Sequence, residues 1–169
     1  MDKQTALTFL RRHQPMPPDN QLTEELIQEY DEIRQYFISH PDPECIPLFL
    51  NSFGEGSGFG VYQLVEDAIN IYSSDQVVPH LIEALRSKYP SVRYWCAQIA
   101  EYFPVPELVD SLQELLSSRD RDIRSAAASA LEGINDRRVD SLLQKALQLE
   151  GDPDLYIQLT EEIARRNER

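Results

Sequence analysis

Two kinds of residue in this chain could do chemistry: a run of glycines and a surplus of carboxylates. The glycines fall in Phe53 to Gln63, FGEGSGFGVYQ, where Gly54, Gly56, Gly58 and Gly60 take four of the chain's six. Glycine lets backbone N–H groups close on a phosphate, so a nucleotide site is the first question. The dinucleotide fingerprint asks for G-x-G-x-x-G after a strand, and Phe59 stands where its third glycine belongs. The segment GEGSGFGVY is closer to the glycine loop of kinases. That loop needs flanking strands, a lysine on the following strand and acidic metal-binding motifs, and the sequence offers none of these. No Walker lysine follows the run. A helix starting near Val61 could offer N–H groups to an anion, but Glu55, Glu66 and Asp67 are close enough to repel one. The run is therefore expected to be a flexible turn between helices. Its functional version is a mobile recognition loop of Phe53, Glu55 and Phe59.

The carboxylates do not assemble a catalytic pair. Glu66–Asp67 and Glu161–Glu162 are neighbours in sequence, so they diverge on a helix surface. His13, His40 and His80 lie apart, and none has a second ligand at helical metal spacing. His80, after Pro79, reads as a surface residue at a helix start. Cys45 and Cys96 each sit in an apolar run without C-x-x-C spacing, which predicts buried free thiols. There is no G-x-S-x-G elbow. No nucleophile, base and oxyanion group come together, so the sequence implies no cofactor and no metal, and favours a binding protein over an enzyme.

The totals agree. With 29 Asp plus Glu against 16 Lys plus Arg, the formal charge is −13. Such a surface repels phosphate backbones, which argues against nucleic acid and for a basic partner. Hydrophobic residues at 41% place the chain among globular proteins. Its N-terminus has no apolar signal core and no span reaches bilayer length, so a cytoplasmic location without membrane contact is expected.

The elements that must position these residues are helices. Leu22, Leu26, Tyr30, Ile33 and Phe37 share one face, with Thr23 as cap, Glu24 and Glu25 in the first turn and a Leu22–Ile27 staple. A shorter helix, Ala6 to His13, precedes the rigid connector Pro15 to Pro18. The break at His40 to Glu44 closes an N-terminal helical element, residues 1–43, expected to pack on the remainder of a single domain.

From Glu44 the chain repeats itself. CIPLFLNSF, VVPHLIEAL, ELVDSLQELL and RVDSLLQKAL are amphipathic first helices; GVYQLVEDAI, SVRYWCAQIA, DIRSAAASAL and DLYIQLTEEI are second helices. Val61, Val92, Ile123 and Leu155 recur at steps of 31, 31 and 32 residues. Four positions on stand Val65, Cys96, Ala127 and Leu159, and eight positions on Ile69, Ala100, Leu131 and Ile163. Two helices per unit at this period is the signature of an all-α superhelix, a solenoid in which each repeat buries its apolar face on the next.

Ser117 to Leu147, SSRDRDIRSAAASALEGINDRRVDSLLQKAL, resembles a HEAT repeat of the short bacterial type, through Asp120, Ile123, Arg124, Ala127, Ala128, Ala130 and Leu131. Val92, Arg93 and Ala97 match in the repeat before. Tyr62 and Tyr156 stand where that family usually has Arg, as terminal repeats often differ. The resemblance implies four HEAT-like helix pairs over residues 44–169, with second helices lining a concave face. It makes Arg93 and Arg124 structural, bonding between repeats.

On that face the sequence gathers Tyr62, Glu66, Asp67, Tyr94, Gln98, Glu101 and Tyr102, with Ser125, Ser129 and Glu132 beyond them. Aromatics among acidic and amide groups make a partner surface. Trp95 reads instead as filler between repeats. The function expected is a protein-binding module holding a basic protein. The resemblance also extends to phycobilin lyases, so a bilin lyase or phycobilisome-related protein is the alternative. A HEAT-type DNA glycosylase would need a basic groove, which the charge opposes.

Overall fold

Helix follows helix along the whole computed structural model, which describes residues 1–168: ten α-helices and two 3-10 turns, with no strand among the described residues. The all-α class and the helix-pair repeat read from the sequence are both present. The chain divides into two compact units, Met1–Cys96 and Ala97–Arg169.

The first unit opens with α1 (Lys3–Arg12) and α2 (Glu24–Ser39). Asp2 caps α1 by accepting from the Thr5 N–H, so the helix begins three residues before the expected Ala6. Thr23 caps α2 as expected, accepting from Leu26 N–H at 3.2 Å. Next come α3 (Cys45–Leu50), a 3-10 turn (Tyr62–Leu64) running into α4 (Val65–Ile69), α5 (Ser74–Ala84) and α6 (Pro90–Ala100), in which the division between units falls. α1 packs on α2 and α3, α2 on α4, and α3 on α5. Tyr30, Phe37 and Phe49 meet edge to face at the centre. Each such ring, fully buried, contributes about 1.5–3 kcal/mol of transfer free energy.

One expectation fails here. Pro79 lies inside α5, not at its start, so His80 is a mid-helix residue. The helix is initiated earlier by a capping box, Ser73 with Gln76, which fixes its first turn before the proline is reached.

In the second unit a 3-10 turn (Pro106–Leu108) leads into α7 (Val109–Leu115), followed by α8 (Arg121–Glu132), α9 (Arg137–Leu149) and α10 (Pro153–Asn167). Asp120, Asp136 and Asp152 cap the last three. α8 is the hub, against α7, α9 and α10. Its Ala126, Ala127, Ala128 and Ala130 are all buried and allow close approach. Across both units the repeat positions behave as the period requires: Val92, Ile123 and Leu155 are buried, as are Val65, Cys96, Ala127, Leu159, Ile69, Ala100 and Leu131. Val61 and Ile163 are only half-buried. Both cysteines are buried free thiols. Burial pushes the Cys45 thiol up to about 11, and Cys96 Sγ donates to the Leu50 carbonyl.

Candidate functional site

The glycine loop does cradle an anion, and the anion belongs to the chain itself. Asp19, in the connector between α1 and α2, accepts from the Ser57 and Gly58 N–H groups, each at 2.9 Å. Its own N–H donates to the Glu55 carbonyl, and Met16 N–H to Ser52. Gly56 and Gly58 have positive φ, and a side chain on Gly56 would strike the Asp19 carboxylate. Trp95 closes the loop from the other side: its Nε1 donates to the Gly56 carbonyl, and its ring stacks on Phe53. Ser91 Oγ donates to the Phe53 carbonyl. The loop is thus an inter-helix link, as expected, but one held at several points.

This corrects two expected site residues. Phe53 and Tyr62 are buried, so neither can meet a partner. Tyr62 sits edge-on to Tyr30, Phe53 and Trp95. Burial pushes its hydroxyl up to about 12. The cause is local: a 3-10 turn advances about 120° per residue against 100° in an α-helix, so Tyr62 rotates inward and leaves Val61 at the margin. Trp95 likewise fills space, as expected, but on the loop. Phe59 remains exposed at the loop tip, with φ 51, and Glu55 is exposed beside it.

On the second helices of the first unit, Glu66 is half-buried, Asp67 exposed and Tyr94 half-buried against Trp95. In the second unit Gln98 is half-buried, while Glu101 and Tyr102 are exposed just past the end of α6. Ser125 and Ser129 do not face a partner. Ser125 Oγ donates to Gln158, Ser129 Oγ donates to Glu162 Oε1, and Gln158 Nε2 donates to the same oxygen at 2.8 Å. The two serine bonds join α8 to α10, and the Gln158 bond braces Glu162 within α10. Burial, only partly offset by those donors, raises the Glu162 carboxyl above the usual range.

The two expected structural arginines differ. Both reach back six residues to a link carbonyl, Arg93 to Ser87 and Arg124 to Ser118. Only Arg124 also shows the bond between repeats, a two-point pair with Glu150 at 2.9 Å for each nitrogen. It lowers the Glu150 carboxyl and raises the guanidinium.

Sequence reasoning missed two features. One is an open cavity of about 610 Å³ in the second unit, lined by Leu116, Leu142, Ala146 and Leu149 around the Arg124–Glu150 pair. The signal was present: matching VDSL in both first helices, α9 runs four residues beyond the end of α7. The other is the exposed Leu64 and Ile71, which flank Asp67 three and four residues away. Leu64 had been placed in an amphipathic helix whose turn type was not foreseen.

The helix pairs and the Arg124 link match a known pattern. A family model of HEAT repeats matches residues 78–164, over half of the chain. The chain belongs to the HEAT-repeat family. A curated relative, Protein MOR1 of Oryza sativa subsp. japonica, is 32% identical over 100 residues. That match takes in 50% of this chain but 5% of the relative, so the chain spans a small part of that protein's length. HEAT repeats generally mediate protein–protein interaction. No helix of the described residues is long and apolar enough to cross a membrane.

Proposed function

We propose that this HEAT-repeat chain is a protein-binding module whose partner is basic. The contacts are Glu66, Asp67 and Tyr94 in the first unit and Gln98, Glu101 and Tyr102 in the second, all on or just beyond second helices. The observation that carries the proposal is electrostatic. Among the described residues, Glu66 and Asp67 on α4, and Glu24, Glu25 and Glu29 on α2, form no ion pair. Carboxylates left unpaired on a helical face attract a cationic surface and steer its approach. The −13 charge adds to that attraction.

The test is affinity capture from the native host with the wild-type chain and with Glu66→Gln/Asp67→Asn. The wild type is expected to retain a protein of high pI that elutes with salt, and the double variant to retain much less of it. Equal retention by both, or an acidic captured protein, would contradict the proposal.

A further inference from the structure

α10 is bonded to α8 and the link after it along one stripe of side chains four residues apart: Gln158, Glu162 and Arg166. Gln158 exchanges bonds with Ser125, its Oε1 accepting from Ser125 Oγ at 2.6 Å and its Nε2 donating to the Ser125 carbonyl at 3.2 Å. Arg166 Nη1 donates to the Glu132 and Ile134 carbonyls at 2.7 and 2.8 Å. An amide does not titrate, and a guanidinium keeps its charge. Glu162, the rung between them, is the one that can change charge.

Its two oxygens are unequal. Oε1 accepts from Ser129 Oγ at 2.9 Å and from Gln158 Nε2 at 2.8 Å. Oε2 is buried and has no hydrogen-bond partner among the described residues, on a residue only 1% exposed. An ionised carboxylate spreads its charge over both oxygens, so part of it would fall on a buried atom without a donor. A neutral acid fits the site: Oε1 is then the carbonyl oxygen, which accepts both bonds, and the proton sits on Oε2. The charged groups that act on Glu162 are Arg165 on its own helix and Glu132 on α8, in opposite directions. Arg165 Nε stands 3.8 Å from Glu132 Oε1, and on α9 Asp140 is taken up by Arg166. Burial, the largest influence, pushes the carboxyl toward the same neutral form.

We infer that Glu162 is a proton-operated latch of the α8–α10 seam: with its proton it closes the seam, and on ionising it loosens the middle rung while Gln158 and Arg166 hold the ends. The sign follows from linkage. Folding favours the protonated form, so the closed seam is complete in the acid range and gives way as pH rises through the folded value. The latch makes the mobility of the last helix pair depend on pH. It stands apart from the proposed partner surface, whose carboxylates lie on other helices.

The test is hydrogen exchange of the α10 amides in the full chain, followed from the acid range to about pH 8. Rates are expressed as protection, which removes the intrinsic pH dependence of exchange. In the wild type, protection around Leu159 to Ile163 is expected to fall about three- to tenfold as Glu162 ionises. In Glu162→Gln, which keeps an acceptor for Ser129 and Gln158 and carries no charge, it should stay level. Glu161→Gln, a change at the exposed neighbour, should behave as wild type. Ser129→Ala removes a donor that favours the ionised form, so the fall should move to higher pH. This variant also serves if Glu162→Gln fails to fold. Wild-type protection that does not change with pH, or a fall that survives Glu162→Gln, would overturn the inference. So would a midpoint that Ser129→Ala leaves in place or lowers, or a loss of protection spread evenly over both units.

Discussion

The two units solve the same problem with opposite means. In the second, polar residues of neighbouring helices are engaged with one another: Ser125 and Ser129 with Gln158 and Glu162, Arg124 with Glu150, Arg138 with Asp110 and Asp136, Arg166 with Asp140. In the first, the helix pair is irregular. Its second helix starts as a 3-10 turn, its link is a glycine loop clasped by Asp19, and α2 lies beside α4. Asp67 on α4 and Leu64 and Ile71 on either side of it are exposed. The regular repeat ties its helices together with polar bonds; both units nevertheless keep apolar side chains in solvent, Leu64 and Ile71 in the first and Leu149 and Ile157 in the second.

The largest effect should come from the clasped loop. Phe53→Ala removes a buried ring that stacks on Trp95 and meets Tyr62, and should cost about 3–5 kcal/mol in urea denaturation. A loss below about 1 kcal/mol would mean the loop is not part of the first unit's core. Next, Arg124→Ala strips Glu150 of its two-point partner and should cost about 2 kcal/mol. Lysine should not restore it, since a single ammonium cannot reproduce the fork. Asp19→Asn weakens both hydrogen bonds to the cradle and should cost about 1–2 kcal/mol, with faster hydrogen exchange at the Ser57 and Gly58 amides. Unchanged exchange there would remove the clasp from the account.

Glu162 gives a smaller effect with a definite sign. Burial raises its carboxyl above the ordinary glutamate value, so folding favours the protonated form. The stability linked to it is complete below the unfolded value and is lost as pH rises through the folded one. Arg165 and Glu132 act on it from nearby in opposite directions. Glu162→Gln keeps an acceptor for Ser129 and Gln158 and removes the buried charge. It should stabilise the fold near pH 8, with the gain shrinking as the pH falls into the acid range. A loss at both pH values would show that the ionised form is the structural one. Smallest of all, Leu64→Ser should change stability by less than about 0.5 kcal/mol, because its side chain is already partly in water.

How much of this was legible in the sequence follows the same division. The period placed Val92, Ile123, Leu155 and their followers up to Leu159 in the core because an α-helix advances by a fixed angle and α6, α8 and α10 are regular, with Ile163 near the chain's end only half-buried. The cap at Thr23 was legible because capping is local. Tyr62 was misplaced because a short 3-10 turn changes the phase, and nothing in VYQLV announces one. Phe53 was taken for a loop tip because its burial depends on Trp95, about forty residues on. Asp19 was invisible for the same reason: a carboxylate in a proline-rich connector reveals its role only when the fold brings the loop to it.

The most direct test of the central claim is the association rate of the captured partner, followed against ionic strength for two charge-matched variants. Glu66→Gln/Asp67→Asn removes two unpaired carboxylates from the first unit. Asp154→Asn/Glu161→Gln removes two exposed ones from α10. The account predicts that the first variant slows association about three- to tenfold at low salt and flattens its salt dependence, while the second leaves both near wild type. Equal slowing by the two would mean that net charge alone attracts the partner, and slowing by the second alone would place the site on the other unit.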